Sequence, residues 1–511
     1  MRGAGYPVWS RCPYDEWMNA STVVASPSPA LYRPAGALDT STALAPYAGP
    51  WNQRLAAHLL RRAGFGGSPV EVARVASGSM HAAVDALAGF DAGTEPAGPP
   101  LAGEQYSRED LLALRQAQQT RDTDRIVALR KQFNQTRNAN RQAAMLWWLD
   151  RMISTPAPLQ EKLTLFWHGH FTSSWEKGTT TQALVDQNQL FRRNALGNIR
   201  ELTLAVSKDV AMLRYLDNAL NVKAHPNENY ARELMELFTL GIGNYTEADV
   251  RESARAFTGW TIDRRSGTFT VDAAHHDDGR KTFLGQSGTF DGAAIVSIIF
   301  AQPACARWFA TKLLGFFVYS DPEPGLVEAV AELLRAKDYD LAPVLSTLLR
   351  SNVFYSERAY RALVKSPVEF VAGAYQLLGL TEAKPIALAA LRRMGQILFS
   401  PPNVKGWDGG AAWLNSQTLL TRENFASGLV NQASGGWLGD AMTGLQAAQV
   451  ARTMAATILI GDVAPQSLAQ LVAYLNGSGV SAQASLSAEN VDERVRGAAY
   501  LTMAMPAYQL S

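Results

Sequence analysis

PNENYARELMELFTLG, residues 226–241, is punctuated as a helix. Pro226 and Asn227 open it, since proline suits a first helical turn and asparagine caps free N–H groups. Gly241 closes it. At 100° per residue Tyr230, Leu234, Leu237 and Phe238 fall on one apolar stripe, which other elements must cover. Asn229, Glu233 and Glu236 fall together on the adjacent face. The same three-to-four spacing recurs over 158–167, 186–196, 206–216, 247–258, 295–318, 325–336, 341–350, 368–378 and 386–396, and 107–152 reads as one or two long helices. The exception is 267–284, where GTFTV and KTFLG flank a polar loop and predict a short β-hairpin or extended excursion. The pattern therefore predicts a mostly α fold: a large irregular helical bundle with a short β-like excursion near 267–284.

Working outward, residues 1–50 read as an irregular N-terminal arm, with prolines crowding PSPALYRPAG and APYAGP. Residues 51–434 form the expected helical core, and 435–511 an alanine-rich C-terminal helical lobe. Of the 511 residues 47% are apolar, ample for a core, and 18% are charged, which excludes wholesale disorder. Lys and Arg number 47 against 46 Asp and Glu, so no global field gathers nucleic acid or an anionic membrane. Seven basic residues between Arg115 and Arg141 read either as a solvated helix face or as a local acidic-partner face. No nucleic-acid partner is expected. No apolar run reaches the ~18 residues needed to cross a bilayer, and Arg2 and Arg11 bracket no signal-like apolar segment. The expectation is a cytoplasmic chain without a membrane span. Cys12 and Cys305 are too few for a thiolate cluster, which removes zinc fingers and iron–sulfur centres. P-loop, dinucleotide, H-E-x-x-H and G-x-S-x-G signatures are absent.

Chemistry is concentrated in the histidines. Only seven are present, and four form two pairs. His168-Gly169-His170 ends EKLTLFWHGH, where Gly169 is expected to break the helix and let the two imidazoles converge as metal ligands. Hydrogen-bonded core histidines are the other reading. His275 and His276 precede Asp277 and Asp278, offering imidazole and carboxylate together, with His276 and Asp277 as further metal ligands; a solvated turn is the alternative. Glu233 and Glu236, at i, i+3 with Asn229 before them, read as catalytic carboxylates or as partners of Arg232, Arg251 and Arg255. His58, between Leu55 and Leu59, reads as a buried structural residue. Finally, SPPNVKGWDGGAAWLN, residues 400–415, is a Pro/Gly-shaped loop presenting Lys405, Trp407 and Asp408 before a helix carrying Trp413. It walls a pocket or seals a core. In the first case Asn229, Lys405, Trp407 and Trp413 are the substrate-binding candidates.

HLLRRAGFGG, EKLTLFWHGHFTSS, PNENYARELMELFTLG, HDDGRKTFLG, VKSPVEF and SPPNVKGWDGGAAWLN, in this order, resemble the large bacterial family catalogued as domain of unknown function 1800. The resemblance covers about residues 52–430, with an echo in the final MPAYQLS. It matches His58, His168, His170, Asn229, Glu233, Glu236, His276 and Asp277 to family motifs. It implies little chemistry, and export for many members. Where the family usually reads His-Asn-His, this chain has Gly169.

Together these readings predict a metal-dependent enzyme. His168, His170 and His276 would hold a transition metal, Cu or Fe before Zn, with Asp277 beside them and Glu233 or Glu236 completing the shell or acting as base. Its expected activity is oxidation or hydroxylation of a phenolic or peptidyl substrate, with a small molecule or peptide as partner. A metal-dependent phosphohydrolase and a non-enzymatic scaffold are the alternatives.

Overall fold

A computed structural model describes residues 41–91, 96–104, 107–433, 438, 442, 444–477 and 488–511, the side chains of 488–492 excepted. The irregular arm expected over 1–50, with Cys12, lies outside the described residues up to residue 40. Two compact units emerge among the described residues: one runs from residue 41 to Phe425 and takes in Leu510–Ser511, and the other lies within Ala426–Gln509. Among the described residues the chain forms 21 α-helices and two small two-stranded antiparallel sheets, so the mostly α reading holds. In the smaller unit Ala447–Ile458, Pro465–Asn476 and Ala488–Ala504 pack on one another. Val450, Met454, Leu475 and Val495 lie in their buried interior.

Helix ends in the larger unit follow local chemistry. The 107–152 stretch resolves into Arg108–Thr120 and Thr123–Ser154, because Arg121 turns left-handed at φ 55° and Asp122 caps the second helix. Likewise 295–318 is two helices, Gly292–Phe300 and Pro303–Phe317, bent by 76°. Pro303 lacks the N–H that a continuous helix needs and starts a new one instead. No single helix among the described residues is long and apolar enough to cross a membrane. Cys305 lies buried in the second of these helices as a free thiol.

The β excursion is wider than the sequence pattern suggests. β1 (Trp260–Ile262) pairs with β2 (Phe269–Val271), with Trp260 opposite Val271; β3 (Lys281–Phe283) pairs with β4 (Gln286–Gly288). Gly259, at φ 77°, turns the chain from helix into β1. A Cβ there would sit 2.5 Å from the Asp272 carbonyl oxygen, so only glycine lets the hairpin close on its own entry. The last residues of the chain also serve this unit: Leu510 bridges Val364, and the Ser511 N–H donates to the Leu363 carbonyl at 2.8 Å.

Candidate functional site

The helix Pro158–His170 runs through Gly169 without a break and ends at Phe171, whose N–H bonds the Trp167 carbonyl. This corrects the expected break. Residues two apart on a continuous helix point about 200° apart, so the two imidazoles diverge. Their surroundings share no ring. His168 lies among Trp148, Phe399, Trp407 and Phe191, with centroids 5.3, 5.7, 5.8 and 6.2 Å away. His170 lies among Phe171, Phe309, Trp167, Phe166 and Phe238.

Burial pushes the His168 imidazole down to about 3, and neither ring nitrogen has a hydrogen-bond partner among the described residues. His170 is also held at about 3, by burial first and by the charge of Lys312 second. Its Nε2 lies 2.9 Å from the Phe238 carbonyl oxygen. A carbonyl only accepts, so Nε2 carries the hydrogen and the neutral ring keeps a lone pair on Nδ1.

His168 thus packs as an aromatic ring would. His168→Phe preserves the shape and removes two unpartnered polar atoms, so its stability should fall by less than about 1.5 kcal/mol, or rise. His168→Ala should lose about 3–5 kcal/mol to the cavity it leaves. Urea unfolding of both variants measures this, and a phenylalanine variant as weak as the alanine one would mean that the imidazole has a polar partner.

The His276-Asp277 segment is a clamp between the hairpins and the helix Glu247–Ala256. Arg255 Nε and Nη2 donate to the two Asp277 oxygens at 2.7 and 3.2 Å, holding that carboxyl below its usual range. On the same helix Glu252 and Asp249 accept the Thr282 and Leu284 N–H groups at 3.0 and 2.7 Å. His276 Nδ1 donates to the Thr258 carbonyl at 2.7 Å, and His275, exposed, bonds Asp272. The arginine network weighed in the sequence therefore forms here, through Glu252 and Asp277 rather than through Glu233 and Glu236.

Asn229 Nδ2 donates to the Leu216 carbonyl at 3.2 Å, and Tyr245 donates to Glu236 at 3.0 Å. Glu233 is half-buried, with its carboxyl pushed up by burial and then by Glu236. Arg232 pairs instead with Glu228 and Glu247. The helix expected to run on to Gly241 is α only over Asn229–Glu233; Leu234–Thr239 widens to a π turn. Among the described residues no contact joins His276 or Asp277 to His168 or His170. No group of three or more His, Cys, Asp and Glu side chains there converges to hold a metal. The donor set does not fit the metal centre that the sequence suggested.

What the fold does assemble is a pocket of about 340 Å³. Its walls include Phe166, Gly169 and His170 on the histidine helix; Leu237 on the π turn; Thr311, Lys312, Gly315 and Phe316 on Pro303–Phe317; Leu363, Val364, Ser366 and Glu369, with Gln396; and Lys405, Trp407, Asp408, Gly409, Gly410 and Trp413 in the Pro/Gly loop. Three of the four substrate-binding candidates, Lys405, Trp407 and Trp413, thus line it, whereas Asn229, Glu233 and Glu236 do not. Trp413 belongs to a 3-10 turn, Gly410–Trp413, just before the helix Ser416–Gln432 rather than on it.

Glycine fixes this loop against the histidine helix. Gly406 has φ 92°, and a Cβ on it would lie 2.3 Å from the Gly169 carbonyl oxygen. Across that contact the Trp407 ring covers the space beside Gly169, 3.6 Å from where a Cβ would stand.

The charges in the wall are unequal. Glu369 caps its own helix with Ser366 and pairs with buried Lys162, which outweighs the burial that would raise its carboxyl. Lys405 meets Asp408 at 3.3 Å on the exposed rim. Lys312 has no ion pair or hydrogen bond among the described residues, only the Trp308 ring 4.6 Å from its Nζ. Sequence reading passed over Lys312; its signal was a single lysine inside the apolar run ATKLLGFF.

The sequence model of a family described as "Protein of unknown function (DUF1800)" matches residues 58–510. No curated protein and no solved structure matches the chain.

Proposed function

The chain belongs to the DUF1800 family, and from that premise we propose that it takes a small aromatic molecule bearing an anionic group into the pocket beside His170. The observation that carries this reading is Lys312, a half-buried cation in an aromatic wall with no carboxylate to balance it. A ligand anion would supply the missing charge in a site where low dielectric strengthens the attraction. Phe166, Phe316, Trp407 and Trp413 offer ring surface, which suits an aromatic body. The volume matches small-molecule sites rather than peptide grooves. His170, neutral across the physiological range, presents an acceptor at Nδ1 for a ligand hydroxyl and orients it rather than taking its proton. The reading keeps the small-molecule partner expected from the sequence and rests nothing on a histidine metal centre.

Tryptophan fluorescence reports on the pocket directly, since Trp407 and Trp413 are in its wall. 4-Hydroxybenzoate should bind saturably, and benzyl alcohol and benzylamine much more weakly. Gly406→Ala forces the loop off the Gly169 carbonyl and should weaken 4-hydroxybenzoate by about tenfold or more, a 1.4 kcal/mol loss. Circular dichroism shows whether that variant remains folded. Equal affinity for the anionic, neutral and cationic rings, or no saturable binding of any, would overturn the reading.

A further inference from the structure

We infer that Lys312 is a nucleophilic amine, condensing with the carbonyl carbon of an aromatic 2-oxo acid held in the pocket. This rests on the aromatic-anion reading of the same pocket. Lys312, in the wall, and Lys162, which pairs with the wall residue Glu369, are partnered differently by the fold. Lys162, 1% exposed, has a carboxylate, Glu369, and the Arg61 carbonyl at 3.2 Å on its Nζ. Lys312 lines the cavity with neither a carboxylate nor a carbonyl on its Nζ. Its neighbours along the wall are Thr311, Gly315 and Phe316, and the other cation of the wall, Lys405, faces it from the loop. An amine becomes a nucleophile when it is withdrawn from water and set near another positive charge, and both conditions are met here.

Two effects oppose each other at this amine. The Trp308 ring favours the charged form. Burial, and after it the Lys405 charge, disfavours that form and pushes the amine below its ordinary range. The glycines at 315, 409 and 410 leave the wall beside it without side chains.

In the step itself the Nζ lone pair forms a C–N bond to the carbonyl carbon, and the carbonyl oxygen takes a proton. That proton comes from the nitrogen, giving a neutral carbinolamine; one further proton, taken from solvent, lets the hydroxyl leave as water and gives a protonated imine. Amine, ketone and one proton give iminium and water, with no oxidant or reductant. The iminium keeps the positive charge, so the Trp308 contact survives the reaction, and the carboxylate of the 2-oxo acid faces Lys405 at the rim.

The test uses the full chain with phenylpyruvate and sodium cyanoborohydride, which reduces the imine to a stable secondary amine. Peptide mapping by mass spectrometry should place the dominant adduct on Lys312, ahead of exposed Lys177 and Lys384, and excess 4-hydroxybenzoate should suppress it. Lys312→Arg keeps a cation but no amine able to condense, and should lose the adduct while melting like the wild type. Labelling spread evenly over surface lysines, or unaffected by 4-hydroxybenzoate, would overturn the inference. If 4-hydroxybenzoate binds and phenylpyruvate leaves no adduct, the imine falls and the pocket reading stands; if neither binds, both fall.

Discussion

Acidification from pH 6.5 towards 4 is expected to remove stability steeply, well before the paired carboxylates are touched. His168 and His170 are each held at about 3 in the fold against 6.5 for a free imidazole, and His58, buried against Phe354 with Arg62 beside it, lies well below as well. A group whose protonated form is disfavoured by folding takes up its proton in the unfolded chain first. Between these two values the unfolded state therefore binds more protons, and stability falls as the pH falls, by about 1.4 kcal/mol per pH unit for each such ring.

Asp209 pulls the other way. Its buried carboxyl, capping the helix Val210–Tyr215, is pushed up to about 7, so in the same window it holds a proton that the unfolded chain releases. The smaller upward shifts of Glu71, Asp150, Glu233 and Glu423 act in the same sense at the acid end. Three rings against one strongly shifted carboxyl leave a net uptake of at least about one proton on unfolding. Urea midpoints from pH 7 to 4 measure the slope, and His168→Phe should flatten it by about 1.4 kcal/mol per pH unit. A slope that is the same in that variant would mean that His168 already titrates in the folded protein.

Glu161→Ala is the substitution with the largest expected effect on stability. This carboxylate is fully buried at the start of the histidine helix. It accepts Arg192 Nε and Nη2 at 2.7 and 2.9 Å, Arg151 Nε at 2.9 Å and Trp148 Nε1 at 3.2 Å. Burial raises its carboxyl, but the two arginines outweigh it and the group stays ionised. Removing it strands Arg192, itself 1% exposed, with a charge that keeps the Asn188 and Gln189 oxygens and the Trp147 ring but no carboxylate among the described residues. Breaking one side of such a pair costs about 3–5 kcal/mol, a large part of the total stability of a typical domain. Replacing both partners, as Glu161→Leu with Arg192→Met, should recover most of that loss, since the stranded charge goes with it. Urea unfolding of the single and double variants separates the two terms. A single variant within about 1 kcal/mol of the wild type would place the pair in contact with water. Trp148 links this node to the ring cluster around His168, so local opening here reaches the wall formed by Trp407.

Much of the fold was legible because its signals are local. The apolar stripes, the capping boxes at Ser107, Thr246 and Ser366 and the prolines at helix starts each act within a turn or two of chain. The Pro/Gly loop was legible as a structured loop for the same reason, since its glycines need left-handed backbone; whether it walls a pocket or seals a core depends on what packs against it. The histidine pair was misread because one glycine was taken for a helix end. Gly169 is instead where the helix lets Gly406 and Trp407 lie against it, and nothing within the local sequence shows what approaches from residue 406.

The sequence by itself determined the helical architecture, the position of the β excursion, the buried structural role of His58 and the family to which the chain belongs. These depend on periodicity, on caps and on motif order, all written in neighbouring residues. Only the tertiary structure decided what each polar residue faces. It turned His168 and His170 into separate aromatic shells, bound Asp277 to Arg255, neutralised Glu369 with Lys162 and left Lys312 alone in a wall of rings. The partners that cancel or leave a charge come from segments tens to hundreds of residues away. Whether a buried group is a ligand, a clamp or a nucleophile is set by those partners and by exclusion of water, which the chain acquires only on folding.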